Sequence, residues 1–145
     1  MREYTIYWVK DEFSYHYFHK TGVLFQFLQE WRHNQGSSIY QLQFSEVIKP
    51  LPLDLLIQHI ATKLRKPVEL SFEENEASFY IQHQGKSVRL TQKNDREVCF
   101  YAENLHQAEE VLFDTLRSIH PSFFIIDTAY SHYGWVAPIK KEAIL

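Results

Sequence analysis

A single cysteine, Cys99, four glycines and five prolines stand among the 145 residues, and each scarcity excludes something. One thiol closes no intramolecular disulfide and builds no multi-cysteine zinc or iron–sulfur site, and such sparse use fits a reducing compartment. Glycines at 22, 36, 85 and 134 make no glycine-rich phosphate loop, and neither a Gly-x-Ser-x-Gly elbow nor a Walker sequence is present. No apolar run reaches the length needed to cross a bilayer. The first ten residues carry Arg2, Glu3 and Lys10 around a short apolar run, where a signal peptide needs a longer one. Positive charge is not in excess either. The 15 Lys and Arg against 18 Asp and Glu leave a net charge of −3, which argues against a surface built mainly to neutralise nucleic acid or anionic lipid. The expectation is a soluble, cytoplasmic protein with no membrane, nucleic-acid, metal or cofactor partner.

Aromatic side chains are abundant, with 3 Trp, 9 Tyr and 11 Phe. With 45% hydrophobic and 23% charged residues, the chain lies outside the composition range of disorder. A domain of this length buries roughly 70% of the surface its unfolded chain exposes. No Gly-, Ser- or Pro-rich linker, repeat or low-complexity tract divides it, so residues 1–145 read as one domain.

Tyr4 to Val9 is an unbroken β-branched and aromatic run, the composition of a central strand. Leu24, Phe27, Leu28 and Trp31 recur at helical spacing from Thr21 to Trp31. From Ile39 to Phe44, Tyr40, Leu42 and Phe44 alternate with Gln41 and Gln43, which predicts a half-buried strand with its glutamines outward. Past Pro50 and Pro52, the residues Leu53, Ile57, Ile60, Ala61 and Leu64 form a helical stripe that closes on Lys63, Arg65, Lys66 and Pro67. The period then switches to two. Alternation around Val68–Phe72, Phe79–Ile81, Val88–Leu90 and Val98–Ala102, with turn chemistry at Gln84-Gly85 and Asn94-Asp95, predicts a four-stranded antiparallel meander. Asn104 and Gln107 resemble a capping box ahead of a helix carrying Leu105, Ala108, Leu112, Phe113, Leu116 and Ile119 and ended by Pro121. Phe123 to Ile126 reads as a short last strand, followed by an extended tail with Tyr133 and Trp135. The order predicts an α+β fold, three main helices packed on a mainly antiparallel sheet.

No reactive constellation emerges. His16 and His19 are three apart, but a metal site needs three or four ligands and nothing nearby completes one. His33, His59, His83, His106, His120 and His132 are dispersed among helix ends, turns and loops. Glu109, Glu110 and Asp114 suit the first turns of the last helix, where negative charge complements the dipole. Glu73, Glu74 and Glu76 read as a polar turn. Cys99 lies out of phase with Val98 and Phe100 and has no neighbour that would lower its pKa. The expectation is a protein that is not an enzyme.

The segment Lys10-Asp11-Glu12-Phe13-Ser14-Tyr15-His16-Tyr17-Phe18-His19 holds more rings than one face of a short helix can bury. Phe13 and Tyr17 share a side at i, i+4 spacing. Any single ring here is more often core than contact, whereas a cluster suits a protein-contact patch, because Tyr, Phe and Trp are enriched at interface centres.

At this segment the chain resembles a known family. The run Lys10, Asp11, Glu12, Phe13, His16, Tyr17 and Phe18 is similar to the Lys-acid-Glu-Phe-x-x-His-Tyr-Phe core of the SirA family, sporulation inhibitors of replication in endospore-forming bacteria. Tyr133-Gly134-Trp135 with Pro138 resembles that family's closing Tyr-Gly-Trp-x-x-Pro motif, and Pro50-x-Pro52 falls in the expected middle. The resemblance implies a stoichiometric inhibitor that binds the N-terminal domain of the replication initiator DnaA. It carries partner contacts to Phe13 and Tyr17, and a polar contact to Gln43, with Gln41 close enough to leave that choice open. Two other classes compete: an enzyme assembled from scattered His, Glu and Asp, and a small nucleic-acid-binding domain acting directly at the origin through Lys63, Arg65 and Lys66.

Overall fold

A computed structural model describes residues 2–65, 69–73, 76–127 and 132–136. Strand β1 (Arg2–Val9) leads into helices α1 (Asp11–Tyr17), α2 (Thr21–His33) and α3 (Ser38–Val47), then β2 (Ile48–Lys49) and α4 (Leu53–Leu64). The meander follows as β3 (Glu69–Glu73), β4 (Glu76–His83), β5 (Lys86–Asn94) and β6 (Glu97–Ala102). Next, α5 (Leu105–Ala108) passes through a π-helical turn (Glu109–Phe113) into α6 (Asp114–Ile119), and β7 (Phe123–Asp127) and β8 (His132–Trp135) end the described chain.

The strands join in one antiparallel sheet of order β3-β4-β5-β6-β1-β7-β8, with β2 pairing on β1. The N-terminal run is central because it is apolar on both faces. Tyr4 and Ile6 point into a core formed with α4 and the α5–α6 helix, whereas Tyr7 and Val9 point into a second core under α2 and α3. Alternation along a strand sends neighbours to opposite faces, so helices cover this α+β sheet on both sides. The predicted meander is present, with Val68 outside the described residues. The Asn104 side chain accepts from the Gln107 N–H at 2.8 Å, and Gln107 accepts from the Glu103 N–H at 2.8 Å. That is the reciprocal logic of the predicted cap, shifted by one residue. Tyr133 and Trp135, expected in an extended tail, are extended as β8, which pairs on β7.

One predicted element is overturned. Residues 39–44 are not a strand but lie inside α3. Tyr40, Phe44 and Val47 stand at i, i+4 and i+7, a helical face, and Phe44 and Val47 are buried in the second core while Leu42 is left 66% exposed. The Trp31 and Phe44 rings stack at 3.8 Å between centroids and hold α3 against α2. The alternation was present, but only the helical set meets a partner surface. With α1 and α3 the helices outnumber the three expected.

Beneath α2, a buried polar cluster ties helix to sheet. The Tyr7 hydroxyl donates to one oxygen of the Glu97 carboxylate, from which Arg32 lies 3.6 Å, and the Asn94 amide donates to the other oxygen at 2.6 Å. Arg32 also donates to the Thr5 hydroxyl at 3.1 Å. Burial, with the Glu97 charge adding to it, pushes the Tyr7 hydroxyl well above its ordinary pKa. Cys99 is buried beside Thr5 in the same region, and burial raises its thiol pKa, the opposite of what a reactive cysteine needs.

Candidate functional site

Helix α1 is seven residues long and none of them is buried. Asp11 and Glu12 in its first turn complement the dipole, and the Phe13 and Ser14 N–H groups close on the Lys10 carbonyl at 3.0 and 2.8 Å. Phe13 and Tyr17 lie on one side, half-buried against the second core. Ser14 and Phe18 lie on another side, over a cavity of about 220 Å³ that also meets Asp11, Tyr15, His120 and Trp135. Glu12, Tyr15 and His16 face solvent, Tyr15 with 81% exposure. The ring surplus read in the sequence thus divides three ways.

The Lys10 N–H donates to the Val47 carbonyl at 2.9 Å, so the start of α1 abuts the end of α3. On α3 the two glutamines part company. Gln41 accepts from the Trp31 indole N–H at 3.4 Å and donates to the Gln35 carbonyl at 2.6 Å, so it is used inside the α2–α3 hairpin. Gln43 lies on the opposite flank, exposed, its side chain making no hydrogen bond to another described residue, and Ile39 and Leu42 stand beside it in solvent at 65% and 66% exposure. Helical spacing of i, i+3 and i+4 puts these three on one strip. The strand reading hid this grouping, since it sent Leu42 inward. Phe13, Tyr17 and Gln43 are therefore on adjoining helices of one side of the sheet.

His120 gathers a second group. Its Nε2 lies 3.4 Å from Asp11, and its Nδ1 accepts from the Ser122 hydroxyl at 2.6 Å and from the Ser122 N–H at 3.2 Å. Serine, histidine and aspartate in contact invite a nucleophile reading. The ring nitrogen that would act as base is instead shared between two donors of one tight turn, and Ser122 is buried. The arrangement orders the turn and steadies the start of α1. Among the described residues no group of three or more His, Cys, Asp or Glu is placed to hold a metal ion, and no helix is long and apolar enough to cross a membrane. Lys63 and Arg65 are exposed at the end of α4, whose apolar side packs into the first core, on the other face of the sheet; Lys66 lies outside the described residues.

Fold and surface together define a small α+β protein whose distinctive feature is a set of half-buried aromatic and exposed apolar side chains on two short helices. The family model of the sporulation inhibitor of replication protein SirA matches residues 2–140, and the chain belongs to that family. It is 24% identical over 145 residues, covering 97% of each chain, to the sporulation inhibitor of replication protein SirA of Bacillus subtilis strain 168.

Proposed function

We propose that this protein is a non-catalytic inhibitor of chromosome replication in sporulating cells, acting by binding the N-terminal domain of the initiator DnaA through α1 and α3. Family membership supports the inhibitory role. The observation that carries the surface is that α1 buries no residue and, with Phe13 and Tyr17 only half-buried, adjoins the end of α3, the helix that carries the exposed strip of Ile39, Leu42 and Gln43. A folded protein rarely leaves a helix so lightly packed next to exposed apolar side chains without a partner to cover them. Phe13 and Tyr17 serve as anchors, because truncation cost at interfaces concentrates in a few aromatic residues. Gln43 supplies a polar contact at the margin, and Gln41 is committed to Trp31.

Titrating isotope-labelled protein with the isolated DnaA N-terminal domain tests the reading by NMR. The expected result is shift changes centred on α1 and the Ile39–Gln43 strip. Changes centred on α4 and the meander, or none at all, contradict it.

A further inference from the structure

A seven-residue helix does not hold its shape in water alone, and α1 buries no side chain fully: Phe13 and Tyr17, half-buried, are its contacts with the second core. Beneath one of its sides lies the cavity of about 220 Å³, so that side contributes little contact. Beyond those two rings, what fixes α1 is at its ends. At the start stand the Lys10 to Val47 hydrogen bond and the Asp11–His120 contact. At the other end, the Trp135 indole N–H donates to the Phe18 carbonyl at 3.2 Å, one of the carbonyls a helix terminus leaves without an internal partner. The Trp135 ring meets Phe18 edge-on at 5.9 Å and the fully buried Phe124 at 5.2 Å. Phe124 is rooted in β7 and in the second core, so this one indole ties the core to the C-terminal end of α1.

We propose that Trp135 is a positioning residue for the contact face: without touching the partner, it holds α1 in the orientation that presents Phe13 and Tyr17. The adjacent Tyr133 works alongside it, stacking on Phe25 of α2 at 4.1 Å, so that β8 grips both helices. This gives the Tyr133-Gly134-Trp135 stretch a physical role. Among the described residues β8 is a sheet edge, paired on β7 alone, and the order of α1 follows from whether that edge is docked. The effect on binding rests on the reading of α1 as the partner-facing helix; the effect on α1 itself does not.

Hydrogen exchange measured by NMR on the full chain separates the two. In Trp135→Phe, which keeps a ring but removes the N–H, amides of α1 should exchange about tenfold faster while those of β1 and β6 keep their protection. Affinity for the DnaA N-terminal domain should fall about fivefold or more, mostly through slower productive association, since α1 must order on binding. In the unmodified protein the Trp135 indole N–H and the α1 amides should open together, a readout that needs no variant to fold. Unchanged α1 exchange in Trp135→Phe, or an indole N–H in the unmodified protein that opens independently of α1, overturns the proposal. Loosened α1 with unchanged affinity overturns the coupling to binding. If Tyr17→Ala also binds normally in that case, it is the partner-facing reading that has failed, and the clasp on α1 stands.

Discussion

The backbone N–H of Lys10 donates to the carbonyl of Val47 at 2.9 Å, which seats the residue capping the start of α1 on the last residue of α3. Two helices distant in sequence become one surface through that bond. Phe13 and Tyr17 on the first and Gln43 on the second make up the proposed contact face, and they differ in how far the core depends on them.

Phe13 is half-buried against the second core, so its truncation should register in both stability and binding. Phe13→Ala should lower unfolding free energy by about 1 to 2 kcal/mol, less than the roughly 3 to 5 kcal/mol of a fully buried phenylalanine. Urea denaturation measures this. A loss in the fully buried range would place the ring in the core and remove it from the face.

The two glutamines should separate cleanly. Gln43→Ala should leave stability unchanged and weaken DnaA binding by about 1 kcal/mol, the worth of a peripheral hydrogen bond. Gln41→Ala should instead cost about 1 kcal/mol of stability, because the Trp31 indole loses its acceptor in a nearly buried position. Calorimetric titration and urea midpoints on the two variants give the comparison, and the reverse pattern would assign the polar contact to Gln41.

Alkaline pH should destabilise the protein through Tyr7. Its hydroxyl titrates well above the ordinary value in the fold, from burial first and the Glu97 charge second, while in the unfolded chain it titrates near about 10. Between those two values the folded state holds a proton that the unfolded state has released, so stability is full below pH about 10 and declines as pH rises beyond it. Tyr7→Phe should flatten that decline and cost about 1 to 3 kcal/mol at neutral pH, since the buried Glu97 loses its donor. Chemical denaturation from pH 7 to 11 reads both effects.

The β4–β5 hairpin turns on Gln84 and Gly85, both with positive φ, at 53° and 80°. Two-residue hairpin loops with positive φ at both positions favour Asn-Gly, because asparagine tolerates the left-handed region and glutamine does so less well. Gln84→Asn should raise stability by about 0.5 kcal/mol, and Gly85→Ala should lower it by about 1 kcal/mol or more. Thermal unfolding of the pair checks the sign of each.

Much of this architecture was legible because its periods were pure. Tyr4 to Val9 is β-branched or aromatic at every residue and sits at the centre of the sheet, and the alternation from Phe79 to Ala102 maps onto successive antiparallel strands. Over residues 39–44 two periods coexisted, Tyr40, Leu42 and Phe44 for a strand and Tyr40, Phe44 and Val47 for a helix. The Trp31 ring stacked on Phe44 decided between them, a contact no local window contains. The spacing of Phe13 and Tyr17 placed them on one side of a helix from sequence alone, but the separate duties of Gln41 and Gln43 needed α3 to be a helix first. The bond from Trp135 to Phe18 joins positions 117 apart and has no local signature.

The most direct test of the DnaA-binding account is calorimetric titration of the isolated DnaA N-terminal domain into the intact protein and into Tyr17→Ala, with circular dichroism on both. The account predicts one-to-one binding by the intact protein and an affinity loss of about thirtyfold or more in a Tyr17→Ala variant that keeps its fold, in line with about 2 kcal/mol for an aromatic anchor. Equal affinity of the two folded proteins, or no binding by the intact one, would contradict it.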